Sequence, residues 1–139
     1  SRGNWYYTSW KGNEEKSGGI ASNIGVHFFD MLQWIFGPII DSRVDIKTKD
    51  TNSGILTLKQ AKVNWYLSIN AENLPQKAKD ERVPTYRTLS IEGEDIEFSK
   101  GFADLHTVSY QKILTGEGYG LADARNSIEI VSKIRNINI

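Results

Sequence analysis

Between residues 17 and 38 the chain carries one stretch whose ends and interior agree on a single structure. Ser17 is a candidate N-cap, Gly37-Pro38 is a stop, and Ile20, Ile24, Phe28, Met31, Leu32 and Ile35 recur at helical spacing. At about 100° per residue those six side chains form one broad apolar arc. Asn23, His27 and Asp30 fall within roughly 60° of one another beside it. A helix of this kind must bury its arc against a second layer, so the rest of the chain has to supply one.

That layer reads as strands. Residues 2–11 are dense in aromatic and β-favouring types, and Trp5, Tyr7 and Ser9 alternate with Tyr6, Thr8 and Trp10, which predicts an extended strand. Residues 12–16 read as a polar loop. After Pro38, residues 40–48 alternate, and 62–70 alternate clearly, with Val63, Trp65, Leu67 and Ile69 on one face and Asn64, Tyr66 and Ser68 on the other. Residues 50–54 are a turn cluster and 55–58 a short strand. Residues 72–84 are polar, hold two prolines and show no period, which predicts an exposed loop. Residues 86–92 and 95–98 flank a hairpin turn. Residues 103–115 return to helical spacing with Leu105, Val108, Ile113 and Leu114 inward, Asp104 as cap and Gly116 as stop. Asp123 opens a last helix over 124–135 with Ile128, Val131 and Ile134 inward. The expected fold is one α+β domain over 1–139, a mostly antiparallel open sheet with helices packed on one face. The face carrying Val63, Trp65, Leu67 and Ile69 should be covered by those helices or by another subunit.

Composition narrows the function classes. Seventeen basic residues balance seventeen acidic ones, so nothing points to nucleic acid or to an anionic membrane surface. The apolar runs fall short of the roughly 18 residues that span a bilayer. There is no cysteine, which removes disulfides and thiol nucleophiles, and it fits a reducing, cytoplasmic compartment. Two histidines and no His-Glu-x-x-His pattern leave no metal centre to expect. Gly116, Gly118 and Gly120 follow a helix and have the wrong spacing for a dinucleotide fingerprint. The start lacks the layout of a signal peptide and falls in an aromatic-rich segment, so a piece of a longer protein is expected.

The polar edge of the first long helix is the candidate site. His27 has two readings, a structural histidine beside an apolar arc or an acid/base group. Helical side chains lean toward the N-terminus, so His27 would reach toward Asn23 and the Gly18-Gly19 end, where a ligand can come close to the backbone. Asp30 either holds the imidazole or is solvated, and solvation is the simpler expectation. Lys11 and Arg2 bracket the aromatic segment as surface charge or as a carboxylate or phosphate clamp. Of the aromatics, one face including Tyr7 is free to line a site or a subunit contact. His106 and Tyr110 read as a packing pair, and Asp123 with Arg125 as a cap and a solvated charge.

Arg2-Gly-x-Trp-Tyr, Ser9-Trp10-Lys11-Gly12, Gly18-Gly19-Ile-Ala-Ser-Asn23-Ile-Gly25-Val-His27-Phe-Phe-Asp30 and Asp123-Ala124-Arg125-Asn-Ser-Ile128-Glu129 together resemble the catalytic half of the Gfo/Idh/MocA oxidoreductases. The resemblance runs from Arg2 to Arg135. The Ser-Trp-Lys-Gly, Asn-x-Gly-x-His-Phe-Phe-Asp and Leu105-His106-Thr107-x-Ser109-Tyr110 segments are most similar to a branch of NAD-dependent dehydrogenases. Those enzymes oxidise the 3-hydroxyl of UDP-N-acetyl-2-amino-2-deoxyglucuronate in making surface polysaccharide. The resemblance implies a glucose-fructose-oxidoreductase-like C-terminal domain for substrate binding and oligomerisation, with the Rossmann half outside this chain and NAD bound mainly there. It implies His27 as the active-site histidine, Lys11 as a contact for the uronate carboxylate, and Asn23, Arg2 and Tyr7 as further substrate contacts. Asn23 stands where many members have Asp; an amide takes no proton, which moves the acid/base burden to His27 or to the absent half. The partners implied are a nucleotide sugar and further copies through the open sheet face. Another sugar or polyol dehydrogenase, or a non-catalytic assembly domain of the same fold, are the alternatives.

Overall fold

The computed structural model describes residues 1–99 and 104–137. The aromatic start is helical rather than extended. α1 covers Asn4–Thr8, and a 3-10 turn follows at Trp10–Gly12. In a strand the aromatics would divide between two faces; in a short helix only Tyr6 turns inward, onto Ile20 and Ile69, while Trp5, Tyr7 and Trp10 stay exposed. The Ser9 hydroxyl donates to Tyr6 O at 2.9 Å and closes the turn. The expected polar loop holds α2, Glu14–Ser17. The Asn13 side chain caps it by accepting from Lys16 N, and Gly18 ends it in the left-handed region at φ 77°. Ser17 therefore belongs to the end of α2 and does not cap the long helix.

That helix starts after Gly18 and Gly19, both left-handed, with a π-turn at Ala21–Gly25 that runs into α3, Val26–Phe36. A π-turn adds a residue to one turn and rotates everything after it. The arc expected from an ideal wheel is rotated accordingly. Phe29 is the fully buried residue of α3 together with Leu32, whereas Ile35 is exposed. Gly25 sits where α3 crosses the sheet, and a Cβ there would come within 2.8 Å of the Phe29 ring and 2.9 Å of Leu67.

β1 (Ile39–Lys47), β2 (Thr51–Leu58) and β3 (Lys62–Ser68) form an antiparallel meander in the order β1-β2-β3. The expected turn cluster over 50–54 is mostly strand. Gly54 pairs with Val44 on one side and Trp65 on the other, and a Cβ there would lie 2.1 Å from Arg43 O. A small residue is needed in mid-strand, and in the sequence it resembles a turn signal. Trp65 and Ile69 are buried, Val63 and Leu67 partly so, and the covering layer is helical, as expected. Phe29 meets Trp65 edge-on at 5.3 Å between ring centroids.

The expected loop over 72–84 contains a 3-10 turn, Ala71–Asn73, and α4, Gln76–Asp80, whose Ala78 is buried. β4 (Thr88–Ile91) and β5 (Glu94–Glu97) form a separate two-stranded hairpin. Glu92 and Gly93 both take positive φ at its tip, which is the turn geometry that matches strand twist.

α5 runs Leu105–Leu114. Ala103, at the start of the expected helix, lies outside the described residues. Leu105, Val108, Ile113 and Leu114 are exposed rather than inward, and Asp104 precedes the helix at φ 59° without capping it through its side chain. α6, Leu121–Asn136, packs beside α3 on the sheet; Ile130, Val131 and Ile134 are buried, but Ile128 is exposed. The Asp123 carboxylate accepts from Gly120 N at 2.7 Å and starts it. Lys47 Nζ ends it by donating to Arg135 O at 2.7 Å and Ile137 O at 3.0 Å. The result is an α+β domain with α3 and α6 on one face of an antiparallel sheet. Among the described residues no helix is long and apolar enough to cross a membrane.

Candidate functional site

The left-handed pair Gly18-Gly19 organises the polar edge. Ser17 Oγ donates to Lys11 O at 2.9 Å and accepts from Gly19 N at 3.1 Å. Gly19 O in turn accepts from Asn23 Nδ2 at 2.9 Å. Lys11 and Asn23, twelve positions apart, are thereby tied to one turn of backbone. The Asn23 amide oxygen remains as an acceptor.

His27 lies one turn further along the same edge and is exposed, and its imidazole makes no hydrogen bond to another described residue. It is open to solvent rather than sealed among apolar side chains. Asp30 does not serve it. That carboxylate is exposed, as expected, but it accepts from Ser127 Oγ of α6 at 2.5 Å, and Gln33 Nε2 donates to the same hydroxyl at 3.4 Å. Asp30 thus fixes α3 against α6.

Lys11 is half-buried. Its ammonium lies 6.0 Å from the Trp5 ring and 5.8 Å from the Trp10 ring, held by two aromatic faces rather than by a carboxylate. Tyr7 is exposed and lies under Lys49 Nζ at 5.8 Å. Arg2 is exposed at the far end of β3, where its backbone N–H donates to Ile69 O at 3.3 Å.

Tyr6, which reads from the sequence as a core or interface aromatic, joins these positions. Its ring is buried, and its hydroxyl, with the Asn23 side chain nearby, makes no hydrogen bond of normal geometry among the described residues. Burial raises the phenol above its usual pKa, while the Arg2 charge and the Asn23 side chain act in the opposite direction. Arg2 and Asn23 thus both lie near Tyr6. The signal for Tyr6 in the sequence was its place between Gly3 and Ser9, the two ends of a helical turn.

Ser17 and Gly19 tie the Lys11 backbone to the Asn23 side chain, Arg2 and Asn23 lie near Tyr6, His27 stands one turn further along the helix, and Tyr7 lies under Lys49. Among the described residues no cluster of three or more His, Asp or Glu could hold a metal. At the glycine-rich start of α6 the N–H of Gly120 is occupied by the Asp123 carboxylate, which would repel a pyrophosphate there. What the arrangement offers is cation, amide and imidazole, which suits an anionic polyhydroxylated molecule.

The chain belongs to the Gfo/Idh/MocA oxidoreductases: residues 1–71 match the family's C-terminal alpha/beta domain. It is similar over its entire length to the WlbA (WbpB) dehydrogenase from Thermus thermophilus. Identity is 45% and TM-score 0.94 for that enzyme's complex with NAD and alpha-ketoglutarate. They are 43% and 0.93 for its complex with NAD and UDP-GlcNAcA. The chain spans 45% of the length of each of those structures.

Proposed function

We propose that these residues form the sugar-binding side of an NAD-dependent nucleotide-sugar dehydrogenase that oxidises the 3-hydroxyl of UDP-N-acetylglucosaminuronic acid in surface polysaccharide synthesis. The observation that supports the reading is the bonded path through Lys11 O, Ser17 Oγ, Gly19 and Asn23 Nδ2, which ties the backbone of Lys11 to the Asn23 amide one helical turn before the exposed His27. Similarity at 43–45% identity to an enzyme crystallised with NAD and UDP-GlcNAcA supports the substrate class.

In this reading the Lys11 ammonium pairs with the uronate carboxylate. The Asn23 amide oxygen accepts from a sugar hydroxyl while its nitrogen stays bonded to Gly19 O. His27 takes the proton from the hydroxyl being oxidised. Arg2 and Tyr7 supply outer contacts. NAD, when bound, accepts the hydride. No residue described here is assigned to hold it, and its binding falls to the part of the relatives' length that this chain does not span. Assembly through the outer face of the sheet is part of the same proposal. That face carries Ile46 and Tyr66, both exposed, and half-buried Ile55 among polar residues, opposite the face that α3 and α6 cover.

The test is turnover of UDP-N-acetylglucosaminuronic acid with NAD by the chain carried in a polypeptide of the relatives' full length. His27→Ala should lower kcat by about 10²–10⁴-fold with a small change in KM. Unchanged turnover would remove His27 from the reaction. No activity toward this sugar in the unmutated protein would remove the substrate.

A further inference from the structure

α2 spans four residues and buries none of them, so polar ties have to keep it in place. Its main-chain bonds include Ser17 N to Asn13 O at 2.9 Å and Gly18 N to Glu14 O at 2.8 Å. The next donor in line, Gly19 N, goes to Ser17 Oγ at 3.1 Å and leaves Glu15 O to find a partner elsewhere. Arg135, in the last turn of α6, supplies it: Nη2 donates to Glu15 O at 3.1 Å. Its Nη1 lies beside the buried Gly18, 3.8 Å from where a Cβ would stand. The guanidinium is itself firmly rooted. Ile134, the residue before it, is wholly buried, and Lys47 Nζ holds the carbonyls of Arg135 and Ile137. α6 also packs along the π-turn that carries Asn23.

We propose that Arg135 is a positioning residue for the sugar-binding edge, acting through α2. By holding Glu15 O it fixes α2, and α2 carries the Ser17 hydroxyl that binds both Lys11 O and Gly19 N. Gly19 O in turn receives the Asn23 amide. The role rests on the reading of this edge as a sugar site. The Arg135 bond ends on a backbone carbonyl, so its influence reaches the sugar contacts through the main chain. A charged donor makes a stronger bond than a neutral one, and α2 has no buried side chain to replace it. Without it the chain between α2 and the π-turn has two permissive joints, Gly18 at φ 77° and Gly19 at φ 75°. Ser17, Gly19 and Asn23 would then have to be ordered as the sugar binds, and the cost falls on binding. His27 is held differently. It stands on α3, which is fixed to α6 through Asp30 and Ser127, about two turns before Arg135. The proton-transfer step is therefore left intact, and KM moves while kcat does not.

The experiment measures steady-state kinetics with UDP-N-acetylglucosaminuronic acid and NAD on a polypeptide of the relatives' full length that carries this chain. It compares Arg135→Ala, Arg135→Lys and, as a control on the same turn of α6, Lys133→Ala. Arg135→Ala should raise KM for the sugar about tenfold and keep kcat within about twofold. Arg135→Lys should recover part of the loss, since an ammonium can bond to Glu15 O but cannot lie beside Gly18 at the same time. Millimolar guanidinium should lower the KM of Arg135→Ala and leave that of the unmutated protein as it was. Lys133→Ala should match the unmutated protein. In Arg135→Ala, hydrogen exchange at Gly18 and Gly19 should quicken by about tenfold while β2 is unchanged. An unchanged KM with faster exchange at those two glycines would limit Arg135 to holding α2. Faster exchange throughout α3 and β2, with a KM that guanidinium does not restore, would make its effect one of general stability. Either result overturns the positioning role and leaves the sugar assignment standing. No turnover of this sugar by the unmutated protein would remove the substrate and the positioning role together.

Discussion

At the scale of single residues, two groups carry opposite electrostatic signatures. The Tyr6 hydroxyl is buried and makes no hydrogen bond of normal geometry among the described residues, and such a group costs stability while its ring contributes packing. Tyr6→Phe should therefore leave the melting temperature unchanged or raise it. Its folded-state pKa is raised, so the folded protein keeps the proton longer than the unfolded chain, and stability falls as pH climbs past the ordinary tyrosine value. The same substitution should remove that share of the alkaline loss in a thermal scan. Asp50 is the reverse. Hydrogen bonds from Thr48, Thr51 and Asn70 hold its carboxyl below the usual carboxylate pKa. That contribution is present above the unfolded value and disappears as pH falls through the folded one. Asp50→Asn should flatten the decline in unfolding free energy below about pH 4. Neither environment could be read from the sequence, because each depends on which residues meet across the fold rather than on neighbours in the chain.

At the scale of elements, the crossing of α3 over β3 depends on one missing side chain. Gly25→Ala would drive a methyl into Phe29 and Leu67, and it should cost about 1–3 kcal/mol in urea unfolding. The long central helix, the meander, the β4–β5 hairpin and α6 were all legible, because period and turn chemistry act locally. What escaped were elements set by close approach. Gly54 reads as punctuation because nothing in the sequence shows β1 passing 2.1 Å from its absent Cβ. The π-turn has no composition of its own, and it rotated the expected arc so that Phe29 replaced Ile35 in the core. At the site, Asn23, His27 and Lys11 were legible as residue types with helical or motif spacing. The hydroxyl of Ser17 that ties Lys11 to Asn23 was assigned to the wrong helix end, and Ser127 as the partner of Asp30 required knowing that α6 lies beside α3.

At the scale of the whole molecule, the exposed outer face of the meander and the wholly exposed apolar residues of α5 leave more unburied surface than an isolated domain of this size tends to keep. Association through the outer sheet face predicts that Tyr66→Lys together with Ile55→Lys shifts sedimentation toward the monomer, while Leu114→Lys on α5 does not. A strict monomer before substitution would count against that interface. The bonds that close the fold have a consequence in time as well. Lys47 holds the carbonyls at the end of α6, and Ser127 meets Asp30 across 97 positions of chain. Such distant pairings make α3 and the meander wait for the last helix before their core is covered. During synthesis on a ribosome the early part of this domain would remain open until α6 has left the exit tunnel, so this sixteen-residue helix acts as the signal that lets consolidation begin.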